Sequence, residues 1–136
     1  MNLQEPKDNI DGMTGLFNGD YGVEALRRVI DEANVLRRTN PSRVVFSEGS
    51  VGLLFVDIYK LKVPHDKYGH PPIDEVIRNV GKVIQELANE TDIACRHGGD
   101  EYLLIMPGVS EGETKQRAER LRQSAMHIRV MVKGEP

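Results

Sequence analysis

Four acidic side chains stand where acids can do chemistry. Asp57 ends the apolar run Val51-Gly52-Leu53-Leu54-Phe55-Val56, so its carboxylate lies at the carboxyl end of a buried strand, where open α/β sheets place their ligands. Taken alone it has two readings, a ligand or the cap of the turn that follows. Asp100 and Glu101 come directly after Gly98 and Gly99, at a hairpin tip where the missing side chains let a ligand approach the backbone. Adjacent residues point to opposite faces of a strand, so only one of this pair shares a direction with Asp57 unless the tip is twisted or bulged. A solvated acidic turn is the alternative reading. If the strand ending at Asp57 neighbours the one starting at Asp100, two or three carboxylates converge. Oxygen-rich clusters of that kind hold Mg²⁺ together with phosphate oxygens. Asp74 lies near the start of its helix, where a favourable meeting with the helix dipole suffices to explain it.

Lys60 and Lys62 follow Asp57 in a segment whose backbone amides are free before the next helix begins. Lysine as a point charge suits phosphate, although lysines in a surface loop are ordinarily just solvated. His65, His70 and His97 do not show the four-residue helical spacing of a zinc motif. Cys95, inside an apolar stretch, reads as core and not as a nucleophile.

Amphipathic spacing predicts the elements that must position these residues. Val23, Leu26, Ile30 and Ala33 recur on one face between Asp20 and Arg38, which predicts a helix. Thr39-Asn40-Pro41-Ser42 ends it, and a loop with a short extended piece at Val44-Val45-Phe46 leads on to Ser50. The run Val51–Val56 lacks polar alternation, as a central strand covered on both faces does. After Pro71-Pro72 a helix carries Val76, Ile77, Val80, Val83, Ile84 and Leu87 inward. Ile93-Ala94-Cys95 and Tyr102-Leu103-Leu104-Ile105-Met106 form a hairpin around Arg96–Glu101. Ser110-Glu111-Gly112-Glu113 has capping-box spacing and opens a helix with Ala118, Leu121 and Ala125 on one side. A last strand is expected over His127–Val132. This order predicts an α/β sandwich, helices against a mixed sheet.

The chain has 136 residues, enough for one domain, with no internal repeat or interdomain linker. Its 39% hydrophobic content supports a packed core. Eighteen Lys+Arg against 21 Asp+Glu leave a formal charge of −3, which argues against nucleic-acid binding through a basic face. A small anionic ligand is compatible with that balance, since a metal ion and backbone amides supply positive field locally. A single cysteine forbids an internal disulfide and fits a reducing compartment, so the expected location is cytoplasmic. No apolar stretch approaches the roughly 20 residues of a membrane helix, and no secretory leader is visible.

Three motifs in order resemble the GGDEF family of diguanylate cyclases, over Asp11 to about Arg129. Asp11-Gly-Met-Thr-Gly-Leu-Phe-Asn18 resembles the family's Asp-x-Leu-Thr-Gly-Leu-x-Asn. Val56-Asp57-Ile58-Tyr59-Lys60-Leu61-Lys62, continuing through Asp66-Lys67-Tyr68-Gly69-His70 to Asp74, resembles its Asp-Ile-Asp-x-Phe-Lys…Asn-Asp-x-Tyr-Gly-His-x-x-Gly-Asp signature. Arg96-His97-Gly98-Gly99-Asp100-Glu101-Tyr102 is similar to the naming motif, with Tyr for the closing Phe. The resemblance implies one α/β (α+β) domain over 1–136, akin to nucleotidyl cyclase and polymerase palm domains, with a central mixed sheet, flanking helices and GTP at the hairpin. It implies that Asp57, the Ile58 carbonyl and Asp100 bind Mg²⁺ (or Mn²⁺), with Glu101 completing the acidic site and helping to remove the 3′-hydroxyl proton. It further implies that amides around Tyr59, Lys60 and Leu61, with Lys62, hold the triphosphate beside Gly98 and Gly99, while His65 and Asp74 read guanine.

Several positions depart from the family pattern. Tyr59 stands where a second Asp is usual, Leu61 where Phe is usual, His65 where Asn is usual, and Ile73 where Gly precedes Asp74. Asn89-Glu90-Thr91-Asp92 occupies the place of the Arg-x-x-Asp inhibitory motif and lacks its Arg. The family continues past this chain with another strand and helix. The implied function is condensation of two GTP into cyclic di-GMP by a homodimer, with room for a sensory domain in a longer native protein. The alternative is a degenerate module that binds nucleotide or a partner protein without catalysis.

Overall fold

The periodic apolar face that begins at Asp20 folds as helix α1, Gly19–Thr39. Its first turn is capped by Asn18, whose side chain accepts from the Tyr21 amide at 2.9 Å. The structure, a computed structural model, describes residues 6–39, 50–58 and 66–130. The extended piece expected at Val44-Val45-Phe46 falls outside those residues. So do Tyr59, Lys60, Leu61, Lys62 and His65.

Strands β1 (Phe17–Asn18), β2 (Val51–Asp57), β3 (Ile93–Arg96) and β4 (Glu101–Pro107) form one sheet in the order β1-β3-β4-β2. β1 runs parallel to β3, and the other two pairings are antiparallel, so the sheet is mixed as expected. Helices α2 (His70–Leu87) and α3 (Glu111–Met126) cover one face. There Ile77, Val80 and Ile84 of α2 and Leu121 of α3 pack with Ala94, Tyr102, Leu104 and Met106. α1 covers the other face, where Cys95, Leu103 and Ile105 meet Leu26 and Val29. Ser110 caps α3 by accepting from the Glu113 amide, the geometry its capping-box spacing predicts.

Two expectations are corrected. The strand covered on both faces is β4, in which Tyr102 to Met106 are all buried, and not β2. Among the described residues β2 pairs with β4 alone. On its α1 side Leu53 and Phe55 are 44% and 57% exposed, because that helix lies mainly over β3 and reaches β2 less fully. An uninterrupted apolar run marks burial on some faces without saying whether the strand has one neighbour or two. The strand expected over His127–Val132 is also absent at 127–130, while 131–132 lie outside the described residues. His127 keeps a helical backbone as the C-cap of α3, and the Ile128 amide bonds back to the Ala125 carbonyl, so the chain turns inward instead of extending.

Cys95 is fully buried, and burial pushes its thiol up to about 11 despite an opposing backbone hydrogen bond involving Leu103. The Tyr102 hydroxyl, raised by burial to about 12, donates to the Ile77 carbonyl at 2.6 Å and ties β4 to α2. Both groups are held protonated by the fold. Their stabilisation is complete below the ordinary thiol value of 9.0 and is lost as pH rises through about 11 and then 12. At pH 8 Cys95 is therefore expected to react with a thiol reagent only as fast as the chain unfolds. Rates of thiol labelling in increasing urea check this, and rapid labelling of the native chain would show that β3 is not sealed beneath α1.

Candidate active site

The register of the β2–β4 ladder decides which acids meet. Asp57 is paired directly with Glu101. The next rung carries a hydrogen bond from the Ile58 amide to the Asp100 carbonyl at 3.0 Å, which makes Asp57–Glu101 a non-hydrogen-bonded pair, the position where facing side chains come closest. Their Cβ atoms are then about 4.5–5.5 Å apart on the same face. Asp57 is exposed and Glu101 half-buried, and neither forms a side-chain hydrogen bond or ion pair among the described residues. Like charges facing each other across a ladder are destabilising, so this rung favours a cation between them. Two hard carboxylate oxygens beside the Ile58 carbonyl are a donor set suited to Mg²⁺ or Mn²⁺.

Asp100 sits half-buried at the tip, one residue from the paired rung. Successive side chains alternate faces, so the register itself joins Glu101, not Asp100, to the side of Asp57. No group of three or more metal-ligating side chains is gathered among the described residues. Neither Gly98 nor Gly99 has a positive φ. A side chain at Gly98 would meet the Glu101 carboxylate at 2.9 Å, whereas one at Gly99 would meet nothing among the described residues, so Gly99 is the open approach to the backbone. Asp74 is the fifth residue of α2 and half-buried, beyond the first turn, so the dipole contact expected for it is weaker than its spacing implied.

Asp11 and Arg96, which have no expected role in the sequence motifs, are joined to the hairpin in the structure. Arg96 Nε and Nη2 donate to the Gly99 carbonyl at 3.2 and 2.8 Å, and Nη1 meets the Asp11 carboxylate at 3.3 Å. Burial opposes ionisation of Asp11, but the Thr14 hydroxyl and amide and the Arg96 guanidinium outweigh it and hold the carboxyl below its ordinary value. The signal lay in the first motif, yet its partner lies 85 residues away. Elsewhere, Asp92 is buried against Arg117 of α3 and accepts from the Asn89 amide at 2.9 Å. An apolar groove of about 680 Å³ between β2, α2 and α3 also touches Asp57 and Ile58, and among the described residues Arg122 is the one cation in its lining. Among the described residues it lacks the charge a triphosphate needs.

The family model described as "Diguanylate cyclase, GGDEF domain" matches residues 8–136. Diguanylate cyclase DosC of Shigella sonnei is 31% identical over 113 residues, covering 83% of this chain and 22% of that protein. Response regulator PleD of Caulobacter vibrioides is 30% identical over 118 residues, covering 87% of this chain and 23% of that protein. The chain thus spans less than a quarter of the length of either. Among solved structures, the GGDEF domain of TpbB (YfiN) from Pseudomonas aeruginosa superposes with TM-score 0.77 at 26% identity, covering 93% of this chain and 67% of that one. The GGDEF domain of DgcB from Caulobacter crescentus, solved in complex with c-di-GMP, gives TM-score 0.68 at 26% identity, covering 90% and 63%. Among the described residues, no helix is long and apolar enough to cross a membrane.

Proposed function

This chain belongs to the GGDEF domain family of diguanylate cyclases, and from that premise we propose that it condenses two GTP into cyclic di-GMP with release of two pyrophosphates. The observation that carries this reading is the in-register Asp57–Glu101 pair beside the Gly-Gly-Asp-Glu tip. Asp57, the Ile58 carbonyl and Glu101 on the same side, with Asp100 at the adjoining tip, would hold Mg²⁺ or Mn²⁺, which supplies charge neutralisation for the triphosphate. Glu101 accepts the proton of the 3′-hydroxyl. The 3′-oxygen then forms a bond to the α-phosphorus of the facing GTP, the bond from that phosphorus to the β-phosphate bridge breaks, and pyrophosphate leaves. Amides at Tyr59, Lys60 and Leu61, with Lys62, Gly98 and the open backbone at Gly99, hold phosphates. His65 and Asp74 contact guanine.

Each subunit binds one GTP, so catalysis takes a homodimer whose two sites face each other. The cytoplasm supplies the substrate, and a sensory domain joined to this one would control the encounter. Product feedback through the Asn89–Asp92 turn forms no part of this reading. Asn89 carries no guanidinium, and the Asp92 carboxylate is already engaged by Arg117.

A module that binds nucleotide without catalysis is the second reading, and the absence of a gathered three-acid cluster among the described residues favours it. Titration of GTP by calorimetry with and without Mg²⁺ tests the site common to both. The expected result is binding at least about tenfold tighter with the metal, because the acidic rung otherwise repels a triphosphate. Equal affinities would remove the metal site from the account.

A further inference from the structure

We propose that Arg96 is a positioning residue that fixes the hairpin tip from beneath, with Asp11 as its anchor and Gly19 as its stop. This proposal rests on the reading of the tip as a metal and nucleotide site. The tip residues His97 to Asp100 belong to neither strand, and their backbone bonds are few. The His97 and Gly98 amides both donate to the Glu101 carbonyl, at 2.8 and 3.2 Å. The Gly99 carbonyl, next to Asp100, is instead gripped by two nitrogens of one guanidinium. A planar fork can serve a carbonyl on one edge and a carboxylate on the other, which a lysine ammonium cannot do in a fixed orientation.

The anchor is itself restrained. Asp11 accepts from the Thr14 amide at 2.9 Å and hydroxyl at 2.7 Å, and its backbone amide donates to the Leu16 carbonyl at 2.7 Å. The Arg96 side chain is 15% exposed and that of Asp11 21%, so the pair is shielded from solvent without being sealed. A separate contact limits the tip from the α1 side. A Cβ at Gly19 would lie 2.9 Å from the His97 carbonyl oxygen, a clash with backbone that only a shift of the hairpin or of α1 relieves. One contact pulls the tip down and the other prevents it from tilting.

The test compares the full chain with Arg96→Ala, Arg96→Lys and Gly19→Ala, reading backbone amide exchange and Mn²⁺ affinity by electron paramagnetic resonance. In Arg96→Ala, exchange at His97 and Gly98 should quicken at least about tenfold while Leu103 and Ile105 stay protected, and Mn²⁺ affinity should fall about 10-fold or more, as when a supporting partner of a metal ligand is lost. Arg96→Lys should recover little of either. Gly19→Ala, which touches neither the acids nor Arg96, should disturb the same two amides. Unchanged exchange at His97 and Gly98 in Arg96→Ala, or exchange quickened throughout the sheet, would overturn the proposal. If the unsubstituted chain binds no Mn²⁺, the metal reading fails, and the exchange pattern alone decides the role of Arg96.

Discussion

Asp100→Ala should yield a folded protein that makes no cyclic di-GMP above background, a loss of at least about 1,000-fold, comparable to deleting a major electrostatic contributor in other enzymes. The side chain packs into neither core cluster, and the bond from the Ile58 amide is accepted by the Asp100 backbone carbonyl and survives the substitution. Surface changes of this kind cost about 0.5 kcal/mol or less, so the melting temperature should move by about 3 °C at most. Parallel melts and product assays decide the matter. A large fall in melting temperature would make Asp100 a structural turn residue and return the tip to a solvated acidic turn.

Asp57→Asn should act with opposite signs on stability and on metal binding. Without metal the Asp57–Glu101 rung sets two carboxylates face to face, and neutralising one should raise stability by about 0.2–1 kcal/mol. The same change removes a ligand, and Mg²⁺ affinity should fall at least about 100-fold, with cyclase activity falling alongside. Thermal melts in a chelator and in excess Mg²⁺ separate the effects. The variant should melt higher than the parent in chelator and gain little from Mg²⁺. Lower stability in chelator would identify Asp57 as a turn cap.

Much of this arrangement was legible because the residues that build it are close in sequence. The hairpin around Gly98-Gly99 needed only two apolar runs and a short connection, and the Ser110 cap needed only Glu113 three residues on. What sequence could not settle depended on distant partners. Val51–Val56 and Tyr102–Met106 are both apolar runs, and only the sheet order makes the second central and, among the described residues, leaves the first with one neighbour. Likewise, which acid faces Asp57 is a matter of register. The pairing with Glu101 follows from a ladder whose strands are 44 residues apart at that rung. The Asp11–Arg96 contact was hidden for the same reason, since neither residue has the pattern of a site on its own. Of the phosphate and guanine contacts implied by resemblance, Tyr59, Lys60, Leu61, Lys62 and His65 remain proposals, outside the described residues.

What the chain makes from GTP decides between catalysis and binding alone. The protein, in the longest form its gene encodes, is incubated with GTP and Mg²⁺, and the products are resolved by liquid chromatography and mass spectrometry with pyrophosphate measured in parallel. Cyclic di-GMP is expected, with two pyrophosphates for each molecule formed, and none in chelator. Folded protein that binds GTP with Mg²⁺ and returns it unchanged would contradict catalysis and leave the nucleotide-binding module as the function of this domain.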